Sequence, residues 1–139
     1  MMRAPHFSSV VMILLGSILW VGCGGGKDPD LPETVSAAGI VTYQGKPVPE
    51  ATIMFYPVQG RKPGSGKSDA SGKFTLTTFS KNDGVIPGDH KVTINAYEST
   101  PQGVSMKSSI PEKYSNQKSS PLTMSVSESQ PEITLELVD

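Results

Sequence analysis

"GIVTYQGKPVPEATIMFYP", residues 39–57, combines the alternation of a sheet with the punctuation of a turn. In its second half Ala51, Ile53 and Phe55 alternate with Thr52, Met54 and Tyr56. A period of two suits a pleated strand with one face buried and the other wet. Ahead of that strand, "QGKPVPE" carries one Gly and two Pro, which break regular structure and keep the chain turning. The window is rich in β-branched and aromatic residues, and each Pro would remove a hydrogen bond from a helix. The stretch is expected to form two strands joined by a turn-rich connector, the founding pair of a small all-β domain.

The same reading extends downstream. "GSGKSDA" (Gly64 to Ala70) is a weak polar strand at best, whereas "GKFTLTT" (Gly72 to Thr78) sends Phe74 and Leu76 inward. The linking "DASGK" places Asp and Gly where a tight hairpin needs them, because Gly takes positive φ at little cost. After the turn cluster "NDGVIPGDH", the stretch "HKVTINAY" puts His90, Val92, Ile94 and Ala96 on one face. Lys91, Thr93 and Asn95 take the other. Two late strands follow, "LTMSV" with Leu122, Met124 and Val126, and "ITLEL" with Ile133, Leu135 and Leu137. Between them and the earlier strands, Glu98 to Pro121 is polar and without period, a long loop that Ile110 and Tyr114 are placed to pin. The total is about seven strands with turn signals between them and no helical crossover, which points to a β-sandwich.

The chain of 139 residues has room for one domain plus processing segments. Its net charge is -1, and the basic residues are scattered singly, which excludes the clustered footprint of a nucleic-acid binder. The front end is a different kind of sequence. Arg3 supplies a positive start, and "VVMILLGSILWV" (Val10 to Val21) is continuously apolar. That run falls short of the roughly 20 apolar residues a membrane span requires and matches the core of a secretory signal. The sole cysteine, Cys23, follows directly in "LWVGC". Next, "GGGKDPDLPETVSA" (Gly24 to Ala37) has too little apolar surface to offset its ordering entropy and is expected to be a flexible tether.

Leu19, Val21, Gly22 and Cys23 resemble the lipobox of bacterial lipoproteins. The resemblance implies a signal peptide over 1–22, removal of that signal, and acylation of Cys23 with diacylglycerol and fatty acid such as palmitate. Residues 23–37 then form a lipid-anchored tether, and 38–139 the folded domain. Each buried methylene contributes about 0.8 kcal/mol, so two or three acyl chains would hold the protein on a membrane. Residue 24 is Gly rather than the Asp that marks inner-membrane retention in that family, so the outer membrane is favoured, facing the periplasm or the surface.

"GIVTYQGKPVPEATIMFYP", "SDASGKFTL" and "PGDHKVTI" together resemble the carboxypeptidase regulatory-like domain. That family implies a transthyretin-like (prealbumin-like) sandwich, seven-stranded, antiparallel and Greek-key. The matches run from Gly39 to Ile94, and the later "IPEKYSNQKSSPLTMSV" is similar to short planctomycete-type lipoproteins built on this domain. His90 stands where the family commonly has Tyr, which implies a semi-buried structural place for it.

Chemistry-bearing motifs are scarce. "GRKPGSGKS" (Gly60 to Ser68) lacks the phosphate-loop spacing, since Arg61 occupies the position of the first Gly and a strand, not a helix, follows. His90 is the one histidine outside the signal, and no GxSxG elbow occurs. Hydroxyisourate hydrolases share the transthyretin fold, but their His and Arg set and "YRGS" ending are not matched. Asp69, Asp83 and Asp89 lie near turns without the spacing of a calcium loop, as turn carboxylates bonded to backbone do. The sequence is therefore expected to have no catalytic, cofactor-binding or metal site. The leading expectation is a non-catalytic, lipid-anchored cell-envelope protein that displays loops or edge strands to an envelope partner. The alternative is a carbohydrate-binding module using Tyr43, Tyr97 or Tyr114 as stacking platforms.

Overall fold

The computed structural model of the chain describes residues 28–128 and 132–139. The described residues form ten strands and one short 3₁₀ turn, with no α-helix among them. The strands are β1 (Ala38–Tyr43), β2 (Lys46–Pro47), β3 (Thr52–Pro57), β4 (Gly64–Lys67), β5 (Lys73–Thr75), β6 (Gly88–Asn95), β7 (Tyr97–Thr100), β8 (Gly103–Ser108), β9 (Thr123–Val126) and β10 (Ile133–Leu137); the 3₁₀ turn is Glu112–Ser115.

One sheet runs β10-β1-β2, with β5 also paired to β1, and the other runs β4-β3-β6-β9. The two strands of residues 39–57 therefore belong to different sheets. After Tyr43 the chain reverses through Gln44 and Gly45, both at positive φ (52° and 78°), which suits a tight two-residue hairpin. β2 pairs back on β1 (Thr42 with Pro47, Tyr43 with Lys46) before the chain crosses to β3. The connector thus carries the chain from one layer to the other.

The inward residues of both layers meet in one core. Val41, Ile133 and Leu135 from one sheet cluster with Ile53, Phe55 and Ile94 from the other. This is the arrangement of a β-sandwich, built on the alternation that the sequence carries in β3, β6 and β10. At one side the layers are stitched together: Ser65 N–H donates to the Thr77 carbonyl (2.9 Å) and Thr77 N–H to the Ser65 carbonyl (2.8 Å).

Several expectations need correction. Seven strands undercounts the described ten, because β2 is only two residues long and β7 and β8 lie inside the stretch read as an aperiodic loop. Nor is the fold wholly antiparallel, since β1 and β10 pair in parallel, Gly39 with Ile133 through Tyr43 with Leu137. The "DASGK" hairpin turn forms as expected, with Gly72 at φ 76° and Asp69 N–H donating to the Lys73 carbonyl (2.8 Å), but the strands it joins, β4 and β5, belong to different sheets. Thr93, expected outward, is buried where the 3₁₀ turn lies along β6. Residues ahead of β1 also join the sandwich. Val35 and Val85 exchange backbone hydrogen bonds (2.8 and 3.0 Å), and Ala37 is buried with its carbonyl accepting from Leu76 N–H.

Candidate interaction surface

Cys23, the expected lipidation site, lies outside the described residues, as do the expected signal peptide and the start of the tether. The other residues singled out in the sequence fall in separate places.

Two of the three carboxylates near turns, Asp69 and Asp83, serve their own backbone, whereas Asp89 is exposed on β6. Asp69 Oδ1 accepts from Ser71 N–H (2.8 Å) and Lys73 N–H (3.0 Å). Asp83 accepts from three consecutive backbone donors, Thr78, Phe79 and Ser80, at 2.7, 3.0 and 2.9 Å. Partial burial of Asp83 opposes its ionisation, but these backbone donors outweigh it and hold the carboxyl below the usual carboxylate range. No group of three or more potential metal-ligating side chains comes together among the described residues.

The glycine-rich "GRKPGSGKS" becomes a loop and then β4, with a structural reason for its composition. A Cβ on Gly66 would stand 2.5 Å from the Thr75 carbonyl oxygen and 3.1 Å from Leu76 Cδ2, because the two sheets approach closely at the Ser65–Thr77 stitch. Small residues are needed there for backbone contact, and Lys67 pairs with Glu50 at 2.6 Å on the exposed face.

The three tyrosines do not form a shared platform. Tyr114 is 1% exposed, and its hydroxyl donates to the Val138 carbonyl (2.8 Å) while accepting from Val138 N–H (2.9 Å). With Ile110, also buried, it pins the long connection to the core as expected. Tyr43 donates its hydroxyl to the Asp139 carboxylate, which raises the phenol's pKa. Tyr97 alone of the three stands out in solvent.

His90 is buried at 1% exposure on the inward face of β6, its ring tilted against Phe55 with centroids 5.7 Å apart. Its Nδ1 lies 2.9 Å from the Gly88 carbonyl, and since a carbonyl only accepts, Nδ1 carries the hydrogen. The sequence placed this residue correctly by its parity with Val92 and Ile94. Among the described residues it has no nucleophile or carboxylate as a hydrogen-bond partner.

A wide groove of about 670 Å³ opens beside β5, with Lys67, Lys73, Asp69, Asn82, Glu128 and Glu132 on its walls. Its charges are of both signs and mostly solvated, and Asp69 is already engaged with backbone.

The surface that departs most from a solvated sandwich is the β7–β8 hairpin. It is a separate two-stranded sheet, paired Ser99 with Val104 and Thr100 with Gly103, with an irregularity between Tyr97 and Ser99. Its turn closes as Thr100 Oγ1 donates to the Gly103 carbonyl at 2.9 Å. The charged pair on it, Lys107 and Glu98, closes on itself at 3.1 Å. Meanwhile Tyr97, Val104 and Met106 are 46%, 75% and 93% exposed. Scattered exposed apolar side chains are ordinary, but three on one short hairpin are a local concentration of exposed apolar surface, the feature that marks interaction sites. The sequence signal was present in "VSMK", where apolar and polar residues alternate, but it is only four residues long within a polar stretch.

Compared with protein-family models, curated proteins and solved structures, the chain matches none of them. The class is therefore defined by the fold itself: an all-β protein of packed sheets with a projecting apolar hairpin.

Proposed function

We propose that this chain is a lipid-anchored, non-catalytic protein of the cell envelope whose sandwich, of transthyretin-like Greek-key type, presents the β7–β8 hairpin to another envelope protein. The lipid anchor rests on Cys23 and its flanking residues, with residues 1–22 as the removed signal. The observation that carries the interaction reading is the exposure of Tyr97, Val104 and Met106 on a two-stranded sheet. Such a hairpin is marginal by itself in water and gains from a further strand or an apolar cover. The partner it fits is a protein offering an extended apolar segment, which would add backbone hydrogen bonds at a strand edge and side-chain contacts on the patch. Gly24 favours the outer membrane. The carbohydrate reading has less support, since Tyr114 is buried and Tyr43 is held by Asp139.

The test compares the full chain, extracted from membranes in detergent, with a Val104→Glu, Met106→Lys double variant. Both substitutions fall on exposed side chains, where stability effects are usually within about 0.5 kcal/mol. A protein captured by the wild type and lost with the variant, at unchanged circular dichroism, is the expected result. Capture of the same proteins by both chains would refute the hairpin as the contact surface.

A further inference from the structure

His90 has a second nitrogen that the fold leaves unused. Nδ1–H is committed to Gly88, whereas Nε2 is buried and has no hydrogen-bond partner among the described residues. An unpaired lone pair inside a core is tolerable, but a charged N–H there without an acceptor is far more costly. The ring sits on β6 between two neighbours. On one side, β3 is held to β6 along a ladder from Thr52 with Asn95 to Pro57 with His90. On the other, β9 is the outermost strand of its sheet, paired only over Gly88 with Val126 to Lys91 with Thr123. His90 lies within that short ladder, opposite Met124.

We propose that His90 is an acid-operated latch: protonation of Nε2 expels the ring from the core and releases edge strand β9 from β6. The direction follows from what surrounds the ring. β3 presents the side chains of Phe55 and Pro57, and β9 that of Met124, none of which balances a charge; the backbone at Met124 is the polar group of β9 nearest the ring, and it makes no hydrogen bond to Nε2. The inward positions of β1 and β10 in the opposing sheet are apolar, Val41, Ile133, Leu135 and Leu137. Tyr43, half-buried against the core, and Tyr114, within it, are the other ionisable side chains of that cluster, and neither is a carboxylate that could pair with a charged ring. The charged residues on the elements packed against this strand are Asp89, exposed on the next position of β6, Lys91 beyond it, and Glu112 and Lys113 on the 3₁₀ turn that lies along β6. Burial lowers the imidazole's pKa from its ordinary value, opposed by the Gly88 carbonyl, the charge of Asp89 and the backbone at Met124. β9 yields before β3 because an outer strand with one ladder opens at lower free energy than a central one. Its departure bares the β6 edge, where a strand from another chain has a template to pair with.

The sign is fixed by linkage. A histidine neutral in the closed form and free to charge in the open form binds more protons when open. Closure is therefore intact above the ordinary histidine value of about 6.5 and weakens as the pH falls below it, by up to about tenfold in the opening equilibrium per pH unit. Hydrogen–deuterium exchange on the full chain in detergent, between about pH 8 and pH 5 and corrected for intrinsic exchange rates, reads this directly. Expected is an acid-dependent loss of protection at β9 and the facing amides of β6, absent in a His90→Phe variant that keeps an aromatic ring in the slot. An equal acid dependence in the variant, or a loss spread evenly over β3 and β10, would overturn the proposal. ¹⁵N resonances of the wild-type imidazole need no substitution. A neutral Nδ1–H ring persisting below the ordinary value supports the latch, and an imidazolium formed at that value with β9 still protected refutes it.

Discussion

Asp83 shows how much structure one side chain can hold. Its two oxygens accept from the backbone of Thr78, Phe79 and Ser80, three donors that would otherwise be left without partners at the end of the Phe74–Leu76 run. Because these bonds favour the ionised form over the burial that opposes it, the carboxyl's pKa is depressed. Its contribution is therefore complete above the ordinary carboxylate value of about 3.9 and drains away as the pH falls through the lower folded-state value. Asp83→Asn is expected to lower stability at neutral pH by about 1–2 kcal/mol, since bonds to a charged acceptor are stronger than those to an amide. Denaturant unfolding at several pH values checks this: the gap between the two chains should close in acid, and a gap constant with pH would argue against it. In the sequence, "NDG" announced a turn, but nothing local showed that its Asp reached back to donors three to five residues earlier. Tyr114 was more legible, because a lone aromatic in a polar stretch has few places to go except the core.

At the scale of the element, what could be read was what side-chain burial dictates. β3, β6 and β10 bury their inward sets as expected, Ile53 with Phe55 and Leu135 with Leu137 among them, whereas in β9 Val126 is buried and Met124 only half-buried. β4 could not be recognised this way because its composition answers to backbone approach instead. Gly66 leaves room for the Thr75 carbonyl, so the strand looks polar and featureless although it sits at the stitch between the sheets. Gly66→Ala is expected to destabilise the fold by about 1–3 kcal/mol, the range for forcing extra atoms into a filled space. The Thr75 carbonyl that the new methyl would meet is backbone and has little freedom to move aside. Unfolding by chemical denaturant measures it, and an unchanged midpoint would mean that the sheets are not in close contact there. The β7–β8 hairpin escaped notice for the opposite reason. Its apolar residues face water, so the hydrophobic pattern that identifies strands has no buried side to mark.

For the whole molecule, the all-β class followed from periodicity and turns, while the order of strands did not. The parallel pairing of β1 with β10 joins residues about a hundred positions apart, and no short-range signal specifies it. The same distinction applies to function. A hook of the lipoprotein kind is a linear motif, readable from Arg3 through Cys23, whereas a docking surface is assembled in space by folding. No helix among the described residues is long and apolar enough to cross a membrane. The proposed attachment to a membrane rests on Cys23 and the residues that flank it. Mass spectrometry of the native protein recovered from its own cells tests that placement most directly. The expected result is a mature chain beginning at Cys23 and carrying diacylglycerol and a fatty acyl group; a chain in the aqueous fraction with an unmodified Cys23 thiol would refute the anchor.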